Sequence, residues 1–96
     1  MYNLQPTNRF KKGLEKIIKS GRLSRDGFKK IHSIMKIDPF DTRLKTHKVT
    51  SRNLNKRYSS YITRDLRIIW DFDANDNLIL LLLDIGGHEG SRRVYK

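Results

Sequence analysis

The sequence contains no cysteine, and this absence excludes several kinds of functional site together. Without a thiol the chain has no disulfide framework, no thiolate metal ligand and no cysteine nucleophile. It also lacks a long apolar segment: the run LILLLL at 78–83 is far shorter than the roughly 20 residues of a membrane-spanning helix. The N-terminal sequence MYNLQPTNRF does not form a secretory signal. We therefore expect a soluble protein, and the missing cysteines fit the reducing cytoplasm.

Acidic residues are also scarce. The 96 residues include 10 Asp and Glu against 21 Lys and Arg, which gives a formal net charge of +11. So large a charge on a small chain favours a polyanionic partner such as nucleic acid, an acidic protein or an anionic membrane. The excess is concentrated in residues 43–67, which carry eight basic side chains and a single acidic one, Asp65. Because this stretch is predicted to be a loop and strands, membrane binding through a helix face is the weaker interpretation, and a solvated basic surface is the simpler alternative.

The N-terminal half predicts a strand followed by a helical hairpin. Tyr2 and Leu4 alternate before Pro6, as in a short strand. Thr7 and Ser24 are suited to cap two helices, which end at Gly21 and at Asp38-Pro39. Each helix has an apolar stripe at helical spacing, formed by Phe10, Leu14, Ile17 and Ile18 in the first and by Phe28, Ile31, Ile34 and Met35 in the second.

The C-terminal half predicts three strands. Residues 40–56 have no clear period and are predicted to be a loop, with a short extended piece near Val49. Strands are predicted at 57–63, 66–72 and 78–83, and the continuous apolar run of the last one predicts burial on both faces. The expected fold is α+β in one domain, residues 1–96. It has an N-terminal strand, a two-helix hairpin and a three-stranded antiparallel meander, with the helices on one face of a twisted sheet and a concave cationic floor on the other.

Neither a metal nor another cofactor is predicted. The three histidines, His32, His47 and His88, have no metal-ligand spacing. The stretch from Asp73 to Asp84 superficially matches a calcium loop, but a leucine stands at the position of the required glycine.

The polar residues that flank the last two strands suit metal-independent RNA cleavage. This chemistry needs a base for the 2′-hydroxyl proton, an acid for the leaving 5′-oxygen and a cation for the charge on phosphorus. His88 follows two glycines at the end of the last strand and is the candidate acid; Arg67 is the candidate phosphate clamp. Asp65 or His47 could act as the base. The candidate contacts to RNA phosphates and bases are Lys45, Lys48, Arg52, Lys56, Arg57, Tyr61, Arg64, Arg92, Arg93 and Tyr95.

The order of these elements, with YITRDLRIIW at 61–70 and DIGGHE at 84–89, resembles the RelE/ParE superfamily of toxin–antitoxin toxins over nearly the whole chain. The nearest resemblance is to YafQ-like and RelE-type messenger RNA interferases. It implies a toxin that enters the ribosomal A site, cleaves messenger RNA there without a metal and is held in check by a small acidic antitoxin. The expected partners are therefore a cognate antitoxin, messenger RNA and the ribosome.

By this resemblance His47, Asp65, Arg67 and His88 match residues of the family's cleavage site. Two positions depart from the pattern. Tyr61 stands where YafQ-like proteins have a histidine, and Tyr95 lies seven residues after His88 instead of about four.

Two alternative functions are compatible with the same fold. ParE-like toxins inhibit DNA gyrase and are not nucleases, and a basic RNA-binding or ribosome-binding domain could have lost its chemistry. The presence of His88 and of the basic loop favours RNA cleavage over gyrase inhibition.

Overall fold

The computed structural model describes residues 1–50 and 56–87, which form an α+β fold with one mixed sheet. Its elements are β1 (Asn3–Pro6), α1 (Asn8–Lys19), α2 (Arg25–Ile37), a 3₁₀ helix (Thr42–Leu44), β2 (His47–Thr50), β3 (Lys56–Tyr61), β4 (Leu66–Phe72) and β5 (Ile79–Gly87). The sheet order is β1-β5-β4-β3-β2, with β1 parallel to β5 and the other neighbours antiparallel. No helix in this part of the chain is long and apolar enough to span a membrane.

This architecture confirms the predicted fold class and corrects the number of strands. The extended piece near Val49 is an edge strand, β2, so the meander has four strands instead of three. Three of the four residues of β2, HKVT, are polar, so the strand has no clear apolar pattern in the sequence. Its place in the sheet is set by backbone pairing with β3.

The helix ends lie where the capping residues predicted them. The Thr7 hydroxyl accepts the backbone N–H of Phe10 at 3.2 Å, and the Ser24 hydroxyl accepts that of Gly27 at 2.9 Å. Gly21 has a φ of +80°, the left-handed conformation that ends α1 at low steric cost. These local signals confirm both helices and the turn between them.

The core lies between the helices and one face of the sheet. The residues that form it are Leu4, Phe10, Ile17, Leu23, Met35, Leu44, Leu66, Ile68, Trp70, Leu80, Leu82 and Ile85. Trp70 is fully buried. The predicted burial of the last strand on both faces is wrong: Leu80 and Leu82 are buried, whereas Ile79, Leu81 and Leu83 are only half-buried. Since the helices cover one face, successive side chains of β5 alternate between the core and the other side.

A register shift between β4 and β5 changes this alternation. Ile69 pairs with Asp84 and Trp70 pairs with Leu82, so Leu83 is an extra residue on β5. Beyond the shift Ile85 enters the core opposite Ile68, and Asp84 lies on the other face. The bulge therefore allows an apolar strand to present a carboxylate without burying it in the core.

Buried hydroxyls connect the loop after α2 to the sheet. The indole N–H of Trp70 donates to the Ser60 hydroxyl at 2.8 Å, which lies 2.6 Å from the Thr46 hydroxyl. Thr46 in turn donates to the Pro39 carbonyl at 2.7 Å. This network satisfies the polar groups that accompany a fully buried tryptophan.

We expect Ser60→Ala to lower the free energy of unfolding by about 1–3 kcal/mol, because it leaves the buried indole N–H without an acceptor. Ser59→Ala is the matched control: Ser59 is equally buried, but its hydroxyl has no partner within the described residues. Its removal should change stability by no more than about 0.5 kcal/mol. Urea unfolding measures both variants, and equal effects would refute the role of the network.

We also expect His32 to destabilise the fold in mild acid. Burial, followed by the nearby Lys36, lowers the pKa of His32, which packs 5.9 Å from the ring of Phe28. The unfolded chain therefore binds more protons, and stability should fall as the pH drops below the ordinary histidine pKa of about 6.5, until the lowered pKa is passed. Urea titrations at pH 7.5 and 5.5 measure the free energy of unfolding. It should fall less between these two pH values in His32→Gln than in the wild type, and an equal fall would contradict the role of His32.

Candidate functional site

The candidate site lies on the far face, the side of the sheet opposite α1 and α2. On this face two neighbouring rows of paired residues cross the strands. The first row consists of Tyr61, Arg67 and Gly86, which pair in that order. The second row begins at His47. The remaining members of that row are Ser59, Ile69 and Asp84. Because successive side chains of a strand point to opposite faces, the pairing brings predicted site residues from three separate strands together on this face.

Arg67 is the most constrained of these residues. Its guanidinium carbon lies 3.6 Å from the centroid of the Tyr61 ring, and the residue is only 7% exposed. One terminal nitrogen, Nη1, donates to the carbonyls of Thr63, Arg64 and Leu66 at 3.3, 3.0 and 3.2 Å. The Nε–H is buried and has no hydrogen-bond partner within the described residues. Arg67 is therefore a cation whose position is fixed by its contacts.

A second cation lies near the same tyrosine. The Lys45 ammonium lies 5.5 Å from the centroid of the Tyr61 ring, next to the His47 strand. We refer to Lys45, Tyr61 and Arg67 as the cationic cluster. The sequence suggested Tyr61 for stacking on an RNA base, but here its ring contacts two cations.

The two candidate bases are exposed near this cluster. Asp65 lies in the turn between β3 and β4, where its backbone N–H donates to the Thr63 hydroxyl at 3.3 Å. The carbonyls on either side of Asp65 are two of those that hold Arg67. His47 is on β2, with its Nδ1 atom 3.1 Å from the Lys45 carbonyl. Both carboxylate and imidazole are therefore accessible to solvent.

The other predicted site residues lie in different places. Arg64 is exposed in the same turn as Asp65. Lys48 lies on the core side instead, since it pairs with Tyr58 and its ammonium is 5.9 Å from that ring. Arg57 lies on the far face and pairs with Asp71 at 3.4 Å. The side chain of Lys56 and the whole of His88, Arg52, Arg92, Arg93 and Tyr95 lie outside the described residues.

The far face also carries two carboxylates, so the predicted cationic floor includes negative charge as well. Asp71 forms an ion pair with Arg57, and Asp84 accepts a hydrogen bond from Arg9 Nε at 3.0 Å. The sequence did not lead us to predict Arg9 or Asp84 as site residues. For Asp84 the position of a single aspartate directly after an apolar run could have indicated a special role. Within residues 1–50 and 56–87, no three histidine, aspartate or glutamate side chains lie close enough to hold a metal ion.

The fold is similar to those of several solved toxins. A metal-bound toxin from Helicobacter pylori has a TM-score of 0.73 at 20% identity, over 92% of this chain and 96% of that one. YafQ from E. coli strain BL21(DE3) has a TM-score of 0.68 at 13% identity, over 91% of this chain and 93% of that one. The E. coli DinJ–YafQ complex gives a TM-score of 0.67 at 16% identity, over 92% and 94%.

No protein-family model matches the sequence, and no curated protein matches it. At identities of 13–20% the structural likeness establishes the fold and leaves the activity to be argued from the site. The chain has the fold of YafQ and of the Helicobacter pylori toxin, as its sequence resemblance to RelE/ParE toxins implied.

Proposed function

We propose that this chain is the toxin of a toxin–antitoxin system and that it inhibits translation by cleaving messenger RNA on the ribosome. The observation that carries the proposal is the guanidinium of Arg67, which three carbonyls hold against the Tyr61 ring, with the Lys45 ammonium near the same ring. Fixed cations that lie close together favour an anionic ligand, and charge-assisted hydrogen bonds from a guanidinium to phosphate oxygens are strong. The net charge of +11 supports the same class of partner.

The proposed reaction is a metal-independent phosphoryl transfer. A base removes the proton of the ribose 2′-hydroxyl, the 2′-oxygen attacks the adjacent phosphorus, and the bond from phosphorus to the 5′-oxygen breaks. An acid donates a proton to that oxygen, which leaves a cyclic phosphate on one fragment and a 5′-hydroxyl on the other. Arg67 would stabilise the extra negative charge on phosphorus, and its contact with Tyr61 would keep it in place beforehand.

His88 is the proposed acid, and Asp65 or His47 the proposed base. His88 follows Gly87 in the sequence, and Gly87 pairs with Leu66, the neighbour of Arg67 on β4. Asp65 belongs to the turn that binds the Arg67 guanidinium, which favours it over His47. Lys45 and Arg64 would contact flanking phosphates, together with the basic residues outside the described ranges.

The proposed partners are a cognate antitoxin and the ribosome, in the cytoplasm. YafQ has been solved in a toxin–antitoxin complex with DinJ, which supports a protein partner for this chain too. A disordered acidic segment would gain both charge neutralisation and burial by ordering on so basic a surface.

A second candidate function is an inactive RNA-binding or ribosome-binding domain. Arg67 Nη1 already donates to three carbonyls, and two aspartates lie on the far face. Both features would reduce the capacity of this face to stabilise a transition state. Cleavage by the wild-type chain separates the two functions.

We expect His88→Ala to reduce messenger RNA cleavage by about 10²-fold or more, because the leaving 5′-oxygen loses its proton donor. Primer extension in a translating extract measures the cuts, with His32→Gln as a control histidine on α2. Cleavage by His88→Ala equal to that of the control would remove His88 from the mechanism. An uncut message, together with arrested DNA relaxation by gyrase, would favour the ParE-like alternative.

We expect Arg67→Ala to lower both stability and activity, and the two effects can be separated. Three carbonyls lose a charged donor, so the free energy of unfolding should fall by about 1–3 kcal/mol. Arg64→Ala, in the same turn but exposed, should change it by no more than about 0.5 kcal/mol. Arg67→Lys keeps the positive charge but lacks the planar guanidinium that can bind a phosphate through two nitrogens. It should therefore cleave poorly, even at temperatures at which urea titration shows that it is folded. Full cleavage by folded Arg67→Lys would contradict the proposed phosphate contact.

A further inference from the structure

Helix α1 carries a second basic feature, away from the cationic cluster. Arg9, Lys12, Gly13 and Lys16 line a depression of about 460 Å³, which we name the α1 cleft. The three cations recur at helical spacing, so they share one side of the helix. Gly13 is buried and contributes no side chain, which leaves room between them.

Arg9 is held in this cleft by a residue of the sheet. Its Nε donates to a carboxylate oxygen of Asp84 at 3.0 Å, and the Asp84 side chain is 10% exposed. The Arg9 side chain is 72% exposed. Within the described residues, Asp84 is the only carboxylate that it contacts. The guanidinium is thus fixed at one nitrogen and keeps its two terminal amino groups for a ligand. Asp84 belongs to the far-face row next to that of Arg67, so its bond to Arg9 links α1 to that face.

Within the residues that the structure describes, the rest of the cleft has no compensating negative charge. Lys12 and Lys16 form no ion pair within the described ranges. The nearest acidic residue of α1, Glu15, instead binds Lys19 at 2.9 Å, and this hydrogen bond lowers the pKa of Glu15. Two unpaired ammonium groups beside a fixed guanidinium form a site suited to an anion with repeated charges.

We propose that the α1 cleft binds the phosphate backbone of RNA, with Arg9 and the two lysines as contacts and Asp84 as the residue that positions Arg9. This inference rests on the proposed RNA-directed function and extends its binding surface beyond the far face. The lining favours RNA over an acidic protein segment. It contains no apolar side chain, whereas a segment that folds on binding needs apolar surface to offset its loss of entropy. A phosphate backbone needs only charge and hydrogen-bond donors.

The first test compares two double variants of equal charge in the full chain. Lys12→Ala with Lys16→Ala alters the cleft, and Lys11→Ala with Lys30→Ala removes two exposed charges from the helices outside it. The probe is a fluorescent single-stranded RNA, and its affinity is measured by anisotropy over a range of salt concentrations. Since each phosphate contact contributes about 0.7 to the slope of log K against log salt, the cleft variant should lose about 1.4 from this slope. It should also bind about tenfold more weakly at 100 mM salt, whereas the control stays near the wild type.

The second test uses the sign of the effect at Asp84. Asp84→Asn removes a negative charge, so charge alone predicts tighter RNA binding. If Asp84 positions Arg9, the variant should bind more weakly, and in an Arg9→Ala background the same substitution should no longer weaken binding. Circular dichroism verifies that both variants are folded. Tighter binding by folded Asp84→Asn in the presence of Arg9 would overturn the positioning role.

The outcomes separate this inference from the proposed function. If the wild type cleaves messenger RNA but the two double variants bind RNA equally, the cleft proposal fails and the nuclease stands. If the cleft variant loses affinity for a polyglutamate peptide and keeps it for RNA, the cleft is a site for an acidic protein and the proposal is wrong. A wild type that binds RNA through the cleft but does not cleave would retain the cleft and refute the nuclease.

Discussion

The pairing of β4 with β5 is the constraint on which the rest of the structure depends. Its register shift at Ile69 and Trp70 adds Leu83 to β5 and changes which side chains enter the core. Ile85 can then pack with the helices while Asp84 lies on the far face. Without the extra residue, the side chain at position 84 would continue the core row of Leu80 and Leu82, where an ionised carboxylate is expensive.

The two arginines of this region are held by different means. Arg67 lies under the Tyr61 ring and binds the carbonyls of the turn between β3 and β4. Arg9 is exposed and held by the carboxylate of Asp84. Both arrangements fix a guanidinium before any ligand arrives, which reduces the entropy lost on binding. A surface with so large a positive charge thereby gains cations at defined positions.

Much of the fold could be predicted because its signals are local. Thr7 and Ser24 cap their helices with their own hydroxyls. Gly21, two residues after the end of α1, adopts a positive φ. The apolar stripes predicted the helix faces that pack into the core. The strand β2 and the one-sided burial of β5 were not predicted correctly, since backbone pairing and the number of covering layers depend on distant elements.

The sequence by itself determined the element types, the positive charge and the chemical groups that a phosphate site requires, because composition and short-range pattern specify them. Only the tertiary structure decided which of these groups meet. Arg9 and Asp84 are 75 residues apart, and only the docking of α1 beside β5 makes them an ion pair. Lys48 has the same charge as Lys45 but faces the core side, because alternation along β2 assigns its direction. Such contacts follow from register and packing between distant segments, which one-dimensional pattern does not encode.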